Sequence, residues 1–156
     1  MDGKREMLRH TVATLGYRAA RALEEAPQEF SGFAGAGRTP AQILAHMGDL
    51  FDWALSLAQG QERWRNSPPL EWNEEKARFF AALEAFDRRL ASAEPIHAGE
   101  EKLFQGPVAD ALTHVGQLAM LRRLAGSPAW SENFAVAEIR AGRAGADQAA
   151  AVKRFR

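Results

Sequence analysis

Asp110 and His114 stand four residues apart in the stretch Gly106 to Gly126, and His46 lies in a second stretch of apolar periodicity. Four residues is about one turn of α-helix, so the Asp110 and His114 side chains leave one face. A carboxylate and an imidazole so placed can hold one metal ion. A histidine from a neighbouring helix would complete three protein ligands and leave coordination positions for water or substrate, as catalytic metal sites do and closed structural sites do not. Each residue also has a plainer reading. His46 has Ile43, Leu50 and Trp53 on its side of the helix and can be a core histidine satisfied by one hydrogen bond. Asp110 can face the positive end of its helix, and His114 can bond to a neighbouring helix. Taken together they point to a cation, because an unpaired buried carboxylate is costly and an ion compensates it and the imidazoles at once.

Four helices are needed to position these groups. The first is expected from Lys4 to Ala26, where Met7, Leu8, Val12, Leu15, Ala19, Ala22 and Leu23 recur at helical steps and Pro27 stops the run. A glycine-rich loop, Ser31 to Arg38, follows. Thr39-Pro40-Ala41-Gln42 then predicts a sharp helix start: Thr39 as N-cap, Pro40 in the first turn and Gln42 closing a capping box. Ile43, Met47, Leu50, Ala54 and Leu57 give that helix its apolar face, and Gly60 ends it. Asn73 is the expected cap of a third helix carrying Phe79, Phe80, Leu83, Phe86 and Leu90. Ile96 to Gln105 reads as a loop with a possible short turn at Lys102-Leu103-Phe104, and Pro107 reads as the opening of the fourth helix. That helix is apolar nearly all round, which places it deep in the fold or against a second subunit. Gly126 and Pro128 stop it. Beyond lies one short helical expectation, Glu132 to Arg140, then glycines and alanines without a period. No strand pattern is visible. The fold class is all-α, an up-down four-helix bundle over residues 1–128 with a C-terminal extension, 129–156, packing on the bundle or on a partner subunit.

Several neighbours of the three ligands could serve the site. Gln117, near one turn beyond His114, could bond to a ligand or a bound water, or make a contact between helices. Asp49 could orient His46 or lie on a solvated face. Trp53 and Trp64 could line a pocket, although Trp53 also suits the core. No separate general base stands out in the sequence; Asp49, Glu100 and Glu101 are no more than candidates. His10 and His97 have no partner at ligand spacing and read as surface residues.

Other chemistries lack their residues. The chain of 156 residues has no cysteine, which removes disulfides, thiolate ligands and a cysteine nucleophile and fits a reducing cytoplasm. Lys plus Arg and Asp plus Glu both number 20, so no basic excess draws nucleic acid or a membrane surface. The basic spots Arg122-Arg123 and Lys153-Arg154 are not interleaved with aromatics. Residues 1–10 hold no apolar signal segment, and no run approaches a membrane span. Gly32 to Gly37 lacks the Lys-Ser/Thr of a phosphate loop, and there is no Gly-x-Ser-x-Gly element. A cytoplasmic protein is the expectation.

The segments Thr39-Pro40-Ala41-Gln42-Ile43-Leu44-Ala45-His46, with Trp53 beyond, and Gly106-Pro107-Val108-Ala109-Asp110-Ala111-Leu112-Thr113-His114-Val115-Gly116-Gln117-Leu118 resemble the second and fourth helices of the DinB/YfiT-like superfamily. The resemblance covers roughly Lys4 to Pro128; the first and third helices match in length and periodicity alone. It implies a four-helix bundle, often dimeric, that binds a divalent metal through one residue of helix two and two of helix four. Here those are His46, Asp110 and His114. Most members carry a histidine where this chain has Asp110, so the implied set is two histidines and a carboxylate. That set suits zinc, nickel, manganese or ferrous iron and is harder and more anionic than three imidazoles. The resemblance also implies chemistry: some relatives transfer groups to low-molecular-weight thiols, and others are described as metal-dependent hydrolases. The competing expectation is a non-catalytic dimeric binding or stress protein with a degenerate site, which the Asp110 departure favours.

Overall fold

In a computed structural model, which describes residues 2–35 and 37–155, the chain is mostly helical. Helix α1 is Gly3–Leu23, started by Asp2, whose carboxylate accepts from the Arg5 amide. It ends short of the expected Ala26, because Glu25 turns to a left-handed φ of 55° ahead of Pro27. Helix α2, Pro40–Ala58, begins as its sequence predicts: Thr39 Oγ1 accepts from the Gln42 amide and Gln42 Oε1 accepts from the Thr39 amide. Gly60, at φ 75°, turns the chain out of α2.

Helix α3 is Trp72–Ala91. Its cap is Glu71 and not Asn73: the Glu71 carboxylate accepts from the amides of Asn73 and Glu74. A carboxylate there both satisfies the orphan donors of the first turn and meets the positive helix end.

The fourth expected helix is longer than predicted. A short helix, α4 (Glu100–Leu103), runs through a π-turn at Phe104–Val108 into α5, Ala109–Leu124. Pro107 therefore sits inside a continuous helical run instead of opening it, and the expected loop ends at Gly99. A proline lacks an amide hydrogen and its ring crowds the carbonyl four residues back. The wider π-turn, in which the Ala109 amide reaches Phe104 O, accommodates both defects.

All four long helices feed one core. Leu15 and Tyr17 of α1, Met47 and Phe51 of α2, Phe79 and Phe86 of α3 and Leu118 of α5 are fully buried. Phe51 joins α2 to α3 through ring contacts with Phe79 and Phe86, centroids 6.2 and 5.8 Å away. The α5 helix is not buried all round: Val115, Leu118 and Leu121 face the core, while Met120 and Leu124 are 52% and 59% exposed.

Residues 129–155 lie on α1 and α5. Ser131–Glu132 (β1) pairs antiparallel with Arg154–Phe155 (β2), and Phe134–Val136 makes a 3-10 turn. The expected helix Glu132 to Arg140 does not form. Glu132 is drawn instead into α1, where its carboxylate accepts from Tyr17 Oη and from Arg21 Nε. Burial and that carboxylate push the Tyr17 hydroxyl above its ordinary pKa. Gly16 lets the extension close on α1, since a Cβ there would come within 2.5 Å of Ala144 O. Arg122, buried, ties α5 to the end of α1 by donating to Ala22 O and Glu24 O, and burial lowers its pKa. Among the described residues no helix is long and apolar enough to cross a membrane.

Candidate metal centre

The α2 and α5 helices bring His46, Asp110 and His114 together, the three residues their spacing singled out. One ligand atom from each lies within 4.8 Å of the others. His46 Nε2 is 3.1 Å from Asp110 Oδ2, and His114 Nε2 is 3.4 Å from the same oxygen. The two imidazole rings cross edge to face at 4.8 Å. The three groups converge closely enough that together they could hold one ion. The His46 and His114 side chains are 21% and 11% exposed and that of Asp110 46%, so the cluster opens to solvent on the Asp110 side.

Gln117 fixes how His114 presents itself. Its Oε1 lies 2.7 Å from His114 Nδ1, so with the amide in this orientation Nδ1 carries the proton and donates. The Nε2 of a neutral His114 then offers a lone pair toward the Asp110 carboxylate. A lone pair facing a carboxylate at 3.4 Å is unfavourable unless a proton or a cation lies between them. The expectation that Gln117 supports a ligand thus has a direct contact behind it.

Aromatic and basic groups surround the cluster. Trp64 meets His46 edge to face at 5.7 Å, and Trp53 meets Trp64 at the same distance. Trp53 is half-buried against the core and donates its indole N–H to Glu62. Beside His114 and Gln117 lies a cavity of about 640 Å³, walled also by Arg38, Thr113, Met120 and Leu124. Arg38 and Thr113 were not among the sequence candidates. Arg38 directly precedes the capping box, and nothing in its spacing signals that the loop folds it back toward α5.

Asp49 does not orient His46. It is buried, and it accepts from the Ser67 amide and hydroxyl, both at 2.7 Å, and from Arg78. Burial alone would push its carboxyl up. The Ser67 donors and the Arg78 guanidinium outweigh that and hold it below the usual carboxylate range. The solvated face is likewise excluded for Asp49. Glu101, another base candidate, pairs with Lys4 at the surface, and Glu100 lies beside it in a cavity lined by α1 and α4 residues. His10 and His97 are exposed, as expected.

Comparison of the chain with family models, with curated proteins and with solved structures gave no match.

Proposed function

We propose that this chain is a divalent-metal-dependent enzyme, built as a DinB/YfiT-like up-down four-helix bundle, with His46, Asp110 and His114 as its metal ligands. The observation that carries the reading is the set of two imidazoles and one carboxylate converging from α2 and α5, with Gln117 Oε1 2.7 Å from His114 Nδ1. A bound zinc, nickel, manganese or ferrous ion would act there as a Lewis acid, lowering the pKa of a thiol or of water. The chain's own residues do the rest. His46 and His114 supply neutral nitrogens, and Asp110 supplies a charge that offsets the ion's. Trp64 covers His46, and Arg38 stands in the adjoining cavity where it would hold an anionic part of a substrate. The reactions that fit are thiol-dependent S-transfer, with a low-molecular-weight thiol as co-substrate, and hydrolysis. The exposed Met120 and Leu124 on α5 support association of two copies through that face.

A second reading rests on the same geometry. Asp110 stands between both imidazoles and can bridge them through a shared proton, which closes the cluster without an ion and leaves a non-catalytic helical binding or stress protein. Elemental analysis of protein purified without chelator separates the two. The metal reading expects near-stoichiometric divalent metal in the wild type and its loss in His46→Ala and His114→Ala. A wild type that is metal-free and stays so when titrated with zinc, nickel, manganese and ferrous iron would leave the second reading standing.

A further inference from the structure

A second cavity, also about 640 Å³, opens between α1, α5 and residues 129–134 and has no α2 residue in its wall. It takes Leu112, Val115 and Ala119 of α5, whereas Asp110 and His114 of that helix meet His46 of α2. Its charged groups are Arg18, Arg21 and Arg123 against one carboxylate, Glu132. Two of these satisfy each other. Arg21 Nε donates to Glu132 at 3.1 Å, Arg21 Nη2 donates to Tyr17 and Ala149 O, and the Glu132 side chain is 1% exposed. Arg18 and Arg123 have no hydrogen-bond acceptor among the described residues. Arg18 is nonetheless held in place, its guanidinium 4.1 Å over the Phe134 ring.

The rest of the wall is mostly apolar, with Thr14 and Ser131 as its polar side chains. Trp130 and Phe134 line it together with the small residues Ala22, Gly116 and Ala119. A Cβ built at Gly116 would meet nothing within 4 Å, so the space above that position is open. The volume is that of a small-molecule site.

We infer that this cavity binds a small organic anion, a carboxylate carried on a flat aromatic body. The planar fork of a guanidinium matches a carboxylate in two parallel hydrogen bonds, and two such forks stand here without acceptors. The exposed Trp130 indole can meet an aromatic ring, while Phe134, under Arg18 and edge-on to Tyr17, holds that guanidinium in place, and the small residues of the wall leave room for the ring. None of the three metal ligands lines this cavity, although Gly116 also lines the one beside His114, and the inference does not rest on the metal reading.

Calorimetric titration of the full chain with 2-naphthoate, with 2-naphthalenemethanol and with inorganic phosphate tests the assignment. The naphthoate should bind saturably, and the neutral alcohol and the phosphate at least about tenfold more weakly, because each lacks half of the recognition. The double variant Arg18→Gln/Arg123→Gln should weaken naphthoate by about tenfold or more while its circular dichroism and melting temperature stay near wild type. Ala119→Leu, at a position that lines this cavity and not the one beside His114, is the second arm. Its larger side chain grows into the cavity and should block naphthoate without loss of fold. Metal content should be unchanged in all of these variants. Absence of saturable naphthoate binding, equal affinity for the alcohol or for phosphate, or undiminished binding by both variants would each overturn the inference.

Discussion

His46 and Asp49 leave the same helix less than one turn apart and reach opposite situations. Asp49 enters a network that contains its own cation. Arg78 crosses from α3 to bond Asp49, Asp52, Glu75 and Ala45 O, and Ser67 supplies two further donors. Gly48 makes room for that crossing, since a Cβ there would stand 2.8 Å from the Arg78 guanidinium. His46 enters a cluster of two imidazoles and a carboxylate with no Arg or Lys among the described residues bonded to any member. Buried charges are compensated from within or from without. Arg78 does the former for the buried Asp49, whereas the Asp110 carboxylate, 46% exposed, faces water on one side and two imidazoles on the other, with room there for a proton or an ion.

The largest effect should come from breaking the self-contained network. Arg78→Met leaves Asp49 and Glu75 buried without their cation and should cost about 3–5 kcal/mol in urea unfolding. Metal content should not change. A loss below about 1 kcal/mol would mean that Ser67 alone satisfies Asp49 and that the contrast with His46 is weaker than drawn. Acid sharpens the same point. The Asp49 pKa is lowered on folding, so its contribution is fully present above the ordinary carboxylate value of about 3.9 and is lost as pH falls through the folded value. Stability of the wild type should therefore fall in acid more steeply than that of Asp49→Asn, measured as urea midpoint against pH.

On the other side of the comparison, Gln117→Leu removes the acceptor that sets the His114 tautomer. Metal affinity should fall by about 10–100-fold, read by competition with a chelating dye. Unchanged affinity would mean that His114 chooses its tautomer without Gln117.

The ease with which each region is read from sequence follows from the range of its contacts. The capping box Thr39/Gln42 and the Asp110/His114 pair are spaced within one turn, so periodicity alone brings them together, and His46 follows once two apolar faces are packed. The Asp49 network escapes such reading because its partners, Ser67 in a loop and Arg78 on α3, are set by tertiary packing. Glu132 shows the same limit: helix spacing around it is overridden by Tyr17 and Arg21 of α1. Pro107 misleads for a local reason, since a π-turn absorbs a residue that ordinarily marks a helix start. A modest test of the locally encoded part is Thr39→Ala, which removes the α2 cap and should cost about 1 kcal/mol in thermal or urea unfolding without altering the metal ligands. A cost near zero would show that packing against α3 alone fixes the start of α2.

The smallest effect on stability should be that of Asp110→Ala, and it divides the two readings of the cluster. A carboxylate at a free helix start contributes about 0.3–1 kcal/mol. Asp110 has no such start to serve, because the Ala109 amide bonds back through the π-turn and the helical run continues to Glu100. Its side chain is also 46% exposed, so its ion pairing with the histidines is screened. Metal-free Asp110→Ala should then unfold within about 0.5 kcal/mol of metal-free wild type. Its metal affinity should fall, and Asp110→His should restore a three-imidazole set with preference shifted toward nickel or zinc. The proton-bridged cluster expects the reverse. Removing the carboxylate would strip both imidazoles of their partner and cost about 1–3 kcal/mol of metal-free stability, while metal content, already absent, would not move.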